Sequence, residues 1–211
     1  MHRFLDNQGG HGNVVFNFRS TPVDDLPAFA EGYHEAGRAL AQKLEEARGY
    51  ADYEGYPILY LYRHALELYL KAVVYRGAIL LGLISEENID LSGLFTSHEL
   101  GRLLPPIRKI WKAQKWDFDG TQLSSFDDFE ELIHSLDQID PKSFSFRYPV
   151  SRSGNAQLPH HFSVNVVSFA NNMDGLLNLL EGAAIGLTEK FELEAEARYE
   201  LYQYVNDYHT T

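Results

Sequence analysis

Hydrophobic residues recur at steps of three and four along most of this chain, the spacing that places them on one face of an α-helix. From Val23 to Arg48 they predict a first helix, with Gly49 as its stop. A second helix opens after Gly55, tolerates Pro57 in its first turn, and runs to about Leu81. Alternating, strand-like stretches are scarce, so the pattern predicts an all-α protein.

Further helical segments follow in the middle of the chain. Thr96 and Glu99 have the spacing of a capping box and predict a helix over TSHELGRLL. Two consecutive prolines should break or kink that helix, with PIRKIWKAQKW as the piece beyond the break. Ser124 or Ser125 is expected to cap SFDDFEELIHSLDQI, whose acidic first turn suits the positive end of a helix.

The last third of the chain predicts two more helices. Val164 to Leu187 is long and almost uncharged, which is typical of a central core helix. Glu189 to Tyr208 is acidic and rich in tyrosine, and it predicts a further helix on the outside. No internal repeat or change of composition divides the chain. We therefore expect residues 1–20 to form an N-terminal arm and residues 21–211 to form one bundle-like domain.

The stretch IDPKSFSFRYPVSRSGN is predicted to be a loop, because prolines, serines and a glycine punctuate it. Its aromatic and basic residues exceed what a plain connection needs. Phe144 and Phe146 are expected to anchor it on the bundle, and the proline after Tyr148 holds that tyrosine extended. In this arrangement Arg147 can point inward, either toward a ligand or only toward a helix that it fastens.

The second helix has one polar strip opposite its wide apolar side. Its members are Arg63, His64, Glu67 and Lys71. Such strips are usually solvated, and the Glu67–Lys71 pair has the favourable order for an exposed i,i+4 contact. The alternative is a polar seam that accepts His98 and Arg147 from neighbouring segments, with Arg147 paired to Glu67 or forked onto a bound phosphate or carboxylate.

His98 directly follows the predicted cap and so is expected in the first turn of a helix. The positive helix end favours the neutral imidazole there, which can act as a base or hydrogen-bond acceptor, although such a histidine can also simply bond a neighbouring loop. His98 and Arg147 are the candidate catalytic residues. The candidate ligand-binding or structural seam consists of Arg63, His64, Glu67, Lys71 and Tyr148.

Composition limits the classes of function. The 211 residues carry a formal net charge of -12, which opposes non-specific contact with nucleic acid or anionic membrane. A polyanionic ligand would therefore need a local basic pocket. The chain has no cysteine, so disulfides and thiolate chemistry are excluded. Charged residues interrupt its most apolar window, and its N-terminal stretch MHRFLDNQGGHGN is polar, so we expect a cytoplasmic protein without a membrane span.

Histidines are numerous but their spacing does not indicate a metal site. His160 and His161 are adjacent, and adjacent residues do not share a helical face. The chain has no His-x-x-x-His or related ligand motif, no Walker loop and no Gly-x-Ser-x-Gly. We expect neither a metal nor another cofactor.

Three short stretches resemble HEPN proteins, the α-helical modules named for higher eukaryote and prokaryote nucleotide binding. They are LYRHALELYLKAVV with Glu67 and Lys71, SHELGRLL with His98, and DPKSFSFRYP with Arg147. Together they span roughly Tyr56 to Leu187, most of the chain.

The resemblance implies an antiparallel bundle of four to five helices, a homodimer and a prokaryotic cytosol. It also implies a place in a toxin–antitoxin, phage-defence or similar conflict system, with an antitoxin or nucleotidyltransferase-like protein as a possible partner. Many such proteins are metal-independent ribonucleases whose motif is arginine, four to six residues, then histidine. This chain departs from that motif, since Arg147 and Arg152 both precede His160 at longer spacing.

Two functional hypotheses follow, and whether the protein is an enzyme stays open. In the first, the module binds or acts on RNA or nucleotide at the seam closed by His98 and Arg147. In the second, it is a non-catalytic interaction subunit in which the same residues fasten the loop, and its acidic surface meets a protein partner. A third and weaker hypothesis is a hydrolase with a histidine–carboxylate site, because no nucleophile can be recognised in the sequence.

Overall fold

The computed structural model describes residues 14–15, 21–47, 52–82, 91–151, 153–158 and 163–209. Within these ranges the protein is all-α, as predicted. Its helices are α1 (Leu26–Ala47), α2 (Gly55–Leu80), α3 (Leu91–Thr96), α4 (Leu104–Gln114), α5 (Phe126–Ile139) and α6 (Val166–His209). Short 3-10 turns, Pro22–Asp25 and Leu100–Leu103, precede α1 and α4. The predicted N-terminal arm lies outside the described residues except for Val14 and Val15, which are exposed.

Helix α2 is the centre of the fold, because it packs against α1, α4 and α6. Apolar side chains on several sides of this helix are buried, so its hydrophobic residues are not confined to one face. The core combines Tyr62, Leu66, Tyr69 and Leu70 of α2 with Met173, Leu176, Leu177 and Leu180 of α6. Each large apolar side chain buried in this way stabilises the fold by about 1.5–3 kcal/mol.

Two glycines allow neighbouring helices to approach α2 closely. A Cβ atom at Gly37 of α1 would lie 3.0 Å from Cδ2 of Tyr62. A Cβ atom at Gly77 of α2 would lie 2.6 Å from Cδ1 of Ile110 in α4, too close for a real contact. Any side chain at Gly77 would force Ile110 to shift, and one at Gly37 would press on Tyr62, so glycine allows the close packing of α1 and α4 on α2.

The region between α3 and α4 differs from its prediction. Thr96 ends α3 instead of capping a helix, and Glu99 has extended backbone, so the predicted capping box is wrong. The consecutive prolines, Pro105 and Pro106, lie in the first turn of α4 and break nothing, because proline's missing N–H has no intrahelical partner there. Ser125 caps α5, as expected, since its Oγ accepts the N–H of Asp128 at 3.1 Å.

The two predicted C-terminal helices are one continuous helix of 44 residues, α6. No proline or glycine separates the segments at the expected boundary after Leu187, so the backbone hydrogen bonds continue. The first half of α6 is buried on α1 and α2. Its second half presents Leu193, Tyr199, Leu201 and Tyr202 as exposed side chains. None of the described helices combines the length and the apolar character that crossing a bilayer requires.

Candidate functional site

The polar strip of α2 is buried rather than solvated over most of its length. Arg63, Glu67 and Lys71 are 0, 1 and 3% exposed. They stand at i, i+4 and i+8, so they share one face of the helix. The segment after α3 and the C-terminal end of α5 cover that face with polar partners. We call the resulting set the Glu67 cluster; its members are Arg63, Glu67, Lys71, His98, Asp137 and Asp140.

Glu67 accepts hydrogen bonds on both carboxylate oxygens. Oε1 lies 2.7 Å from Nζ of Lys71 and 2.8 Å from Nδ1 of His98. Oε2 accepts a hydrogen bond from Nη1 of Arg63 at 3.1 Å. Burial alone would raise the pKa of Glu67, but the hydrogen bonds and charges of Lys71 and His98 outweigh it and hold this pKa below its ordinary value. Glu67 therefore stays ionised at neutral pH.

Arg63 joins Glu67 to two acidic side chains at the end of α5. Its Nε lies 3.4 Å from Oδ2 of Asp140, and its Nη2 lies 3.5 Å from Oδ1 of Asp137. Nη2 also donates to the carbonyl of His98 at 2.8 Å. Asp137 in turn accepts the backbone N–H groups of Leu100 and Gly101, which open the 3-10 turn before α4. One buried guanidinium thus joins α2, α5 and the segment that carries His98.

Asp140, which the sequence interpretation missed, fastens the loop after α5. Its Oδ1 accepts the backbone N–H groups of Phe144 and Ser145, both at 2.8 Å, while its Oδ2 faces Arg63. An aspartate directly before a proline, where a helix ends, is a recognisable turn signal, and it could have identified this residue. The fastening role considered for Arg147 belongs to the Asp140–Arg63 pair.

Arg147 does not pair with Glu67, so that expectation is wrong. Its side chain is exposed, and its Nε donates to the carbonyl of Ser143 at 2.7 Å. The guanidinium carbon lies 4.6 Å from the ring centre of Phe144, 5.3 Å from that of Tyr60 and 5.8 Å from that of Tyr148. Arg147 therefore meets α2 at an aromatic ring rather than at a carboxylate, and it keeps donors for a ligand.

The two phenylalanines of the loop have different environments. Phe146 is buried and anchors the loop, as expected. Phe144 is 39% exposed and Tyr148 is 53% exposed, so both rings are accessible to solvent. Their ring centres are 6.1 Å apart. Only one of the two expected anchors is therefore an anchor.

His64 lies between the buried cluster and Arg147. It is half-buried, stacked on Tyr60 with ring centres 5.5 Å apart, and edge-on to Tyr33 at 4.4 Å. Burial lowers the pKa of His64, and the positive charges of Arg147, Lys71 and His98 lower it further, while Glu67 opposes them. His64 therefore feels the charges of both Glu67 and Arg147, although Arg147 itself contacts α2 at Tyr60.

His98 is held by Glu67 but is not in the first turn of a helix. It lies between α3 and the Leu100–Leu103 turn, so the helix-end argument for its charge does not apply. Because Glu67 is ionised, Nδ1 of His98 must carry the proton that the carboxylate accepts. The side chain is 44% exposed. An imidazole oriented by a buried carboxylate and open to solvent on its other side has the arrangement of a general acid or base.

A second polar group, which the sequence interpretation did not find, lies between α1, α2 and α6. Oδ1 of Asp174 lies 2.7 Å from Nε2 of His34 and accepts the hydroxyl of Tyr62 at 2.8 Å. Oδ2 lies 3.4 Å from Nε of Arg38. We call these four residues the Asp174 cluster. Its sequence signal is Asp174, one of two acidic residues in the almost uncharged first half of α6.

The described part of the chain contains no group of three or more histidine, aspartate or glutamate side chains that could hold a metal ion. His160 and His161 lie outside the described residues. The side chains at and beside the Glu67 cluster can support proton transfer at His98 and anion binding at Arg147.

Comparisons with protein-family models, with curated proteins and with solved structures give no match for this chain.

Proposed function

We propose that this protein is a HEPN-like helical module that acts on RNA or nucleotide at the exposed edge of the Glu67 cluster. In this proposal it works as a homodimer in a prokaryotic defence or toxin–antitoxin system, with no metal and no cofactor. The observation that carries the proposal is the half-exposed His98 imidazole, held 2.8 Å from the buried carboxylate of Glu67.

The roles follow from the contacts. Glu67 fixes the orientation and tautomer of His98, so that Nε2 can take a proton from a reacting hydroxyl or give one to a leaving oxygen. Arg147 offers a guanidinium on the same side of α2 for the phosphate. Arg63 and Lys71 hold the carboxylate of Glu67 in place and do not touch the substrate. This pair of groups would replace the arginine–histidine motif of the HEPN ribonucleases, which this chain lacks.

The experiment is cleavage of total RNA and of short single strands by the purified protein, with and without a chelator. His98→Ala and Arg147→Ala should each lower the cleavage rate by about a hundredfold, the scale of acid–base catalysis. Both variants should keep a melting temperature within a few degrees of the wild type, because both side chains are substantially exposed. The matched controls are His134→Ala and Arg102→Ala, which replace exposed residues elsewhere. Full activity in the first two variants would eliminate the proposal.

A second candidate function is a non-catalytic interaction subunit. The observation in its favour is the second half of α6, where Leu193, Tyr199, Leu201 and Tyr202 are exposed on a strongly acidic segment. Exposed apolar and aromatic side chains on a strongly acidic helix suit a basic partner protein, whereas a second acidic copy of the same segment would be repelled.

This alternative predicts intact RNA in the cleavage assay at every protein concentration. It also predicts that a basic protein encoded by an adjacent gene copurifies on coexpression, and that Leu201→Glu abolishes copurification. Tyr53→Glu, at another exposed aromatic, should leave copurification unchanged and serves as the control. Cleavage that depends on His98 would exclude the alternative.

A further inference from the structure

The loop after α5 borders a half-open cavity that neither His98 nor Arg147 lines. Its volume is about 580 Å³, within the range of roughly 300–1,000 Å³ that is usual for small-molecule sites. Its lining includes Lys142, Phe144, Ser145, Tyr148, Ser151 and Gln157.

One wall of the cavity is aromatic and fixed in place. Phe144 and Tyr148 face each other at 6.1 Å with an angle of 31° between their planes. The guanidinium of Arg147 lies against both rings, and Asp140 holds the backbone of Phe144. Because contacts within the loop hold the rings, a flat ligand stacking on the wall does not have to order them first.

The rest of the lining is polar and presents hydrogen-bonding groups. Ser145, Ser151 and Gln157 offer hydroxyl and amide donors and acceptors, and Lys142 adds a positive charge. The backbone bond from Gln157 to the carbonyl of Pro149, at 3.2 Å, closes this side of the loop. An aromatic wall with polar edges and one cation suits a planar heterocycle that has polar edges and carries a phosphate.

The cavity is connected to the catalytic edge through Arg147. The guanidinium that lies on Phe144 and Tyr148 also lies 5.3 Å from the ring of Tyr60, on which His64 stacks. Arg147 does not line the cavity itself, but its guanidinium lies against two residues that do, Phe144 and Tyr148, so a phosphate that extends from the cavity past these rings approaches this cation.

We infer that this cavity binds the base of an unpaired nucleotide against Phe144 and Tyr148, with the attached phosphate at Arg147. The inference rests on the proposed function for the class of substrate and adds to it the part of the substrate that is recognised. The net charge of -12 opposes long polyanions, so single nucleotides and short single strands are the ligands.

The test is calorimetric titration of the full chain with AMP, GMP, CMP and UMP, and with ribose 5-phosphate as a base-free probe. At least one nucleotide should bind, and Tyr148→Ala should weaken it by about tenfold or more, the scale of losing one base–aromatic stack. Tyr148→Phe should bind within about twofold of the wild type, because it keeps the stacking face. Tyr199→Ala, at an exposed tyrosine of α6, should do the same. Ribose 5-phosphate should bind more weakly than the nucleotide and be insensitive to Tyr148→Ala.

The outcomes separate this inference from the proposed function. Binding that depends on Tyr148, without RNA cleavage by the wild type, supports the base site and removes the catalytic role of His98. RNA cleavage with an unchanged KM in Tyr148→Ala overturns the base site and leaves the catalytic role. Failure of all four nucleotides to bind, or equal affinity in the wild type and a folded Tyr148→Ala variant, also overturns the base site.

Discussion

Helix α2 contributes to two polar clusters that use the same kinds of side chain in different ways. In the Glu67 cluster the carboxylate is buried and its histidine, His98, is 44% exposed. In the Asp174 cluster the carboxylate is nearer the surface and its histidine, His34, is only 1% exposed. Both contain an arginine as well. An inventory of residue types would not distinguish them.

The difference lies in which group remains accessible after the bonds within the cluster are made. Asp174 joins α1, α2 and α6 through His34, Arg38 and Tyr62, and the imidazole of His34 is enclosed. Both carboxylate oxygens of Glu67 are also hydrogen-bonded, but the imidazole of its partner His98 reaches solvent, as does the guanidinium of Arg147. The first arrangement can stabilise the fold, and the second can also take part in a reaction.

The largest expected effect on stability comes from Arg63→Ala. This change leaves Glu67 and Asp140 buried without their shared cation, and removing one partner of a buried ion pair costs about 3–5 kcal/mol. Urea denaturation would measure the loss of unfolding free energy. The control is Arg102→Ala, an exposed pair with Glu99, which should change it by less than about 1 kcal/mol. Similar losses in the two variants would show that the burial of Arg63 has no energetic consequence.

Asp174→Ala should have the next largest effect. It orphans His34 and the hydroxyl of Tyr62, and we expect the free energy of unfolding to fall by about 2–3 kcal/mol. RNA cleavage by the folded variant should be unchanged, whereas His98→Ala should show the reverse pattern of preserved stability and lost cleavage. A loss of cleavage in Asp174→Ala, at a temperature where it is folded, would contradict the separation of the two clusters.

A smaller difference in stability is expected between phenylalanine substitutions at two tyrosines of α2. Tyr62→Phe removes the hydroxyl that Asp174 accepts and should cost about 1 kcal/mol. The hydroxyl of Tyr69 is also buried but has no hydrogen-bond partner among the described residues. Tyr69→Phe should therefore be neutral or slightly stabilising, since it removes an unsatisfied polar group. Thermal unfolding of the two variants would show the difference, and equal melting temperatures would contradict it.

Sequence reasoning found the parts of this protein that depend on neighbours along the chain. The periodicity of α1 and α2 and the Ser125 cap are local features, and they were predicted. The Asp174–His34 contact joins residues 140 positions apart, so no local pattern contains it. The burial of Glu67 depends in the same way on what folds over it, because the charge spacing is identical for a solvated strip and a buried one.

The loop shows where a local signal was available but was assigned to the wrong residue. The sequence leaves two roles open for Arg147, fastening the loop to the helix or binding a ligand, because it is the conspicuous charge in the stretch. The fastening residue is Asp140, whose partners Phe144 and Ser145 are only four and five residues away. The composition of the stretch predicted a loop, but the choice between two charged residues required the position of Arg63.

The smallest expected effect is a pH dependence of the unfolding free energy that arises from the protonation of His64. Burial lowers the pKa of this histidine from its ordinary value of 6.5, with further lowering by Arg147, Lys71 and His98 against the opposing charge of Glu67. Below about pH 6.5 the unfolded chain takes up a proton that the folded protein resists, so stability is lost as pH falls through the folded pKa. Urea denaturation at about pH 7.5 and about pH 5.5 should show a smaller loss in His64→Gln than in the wild type, since the other histidines are common to both. Equal losses would mean that His64 keeps its ordinary pKa, and that the cations of the Glu67 cluster and of Arg147 do not act on it.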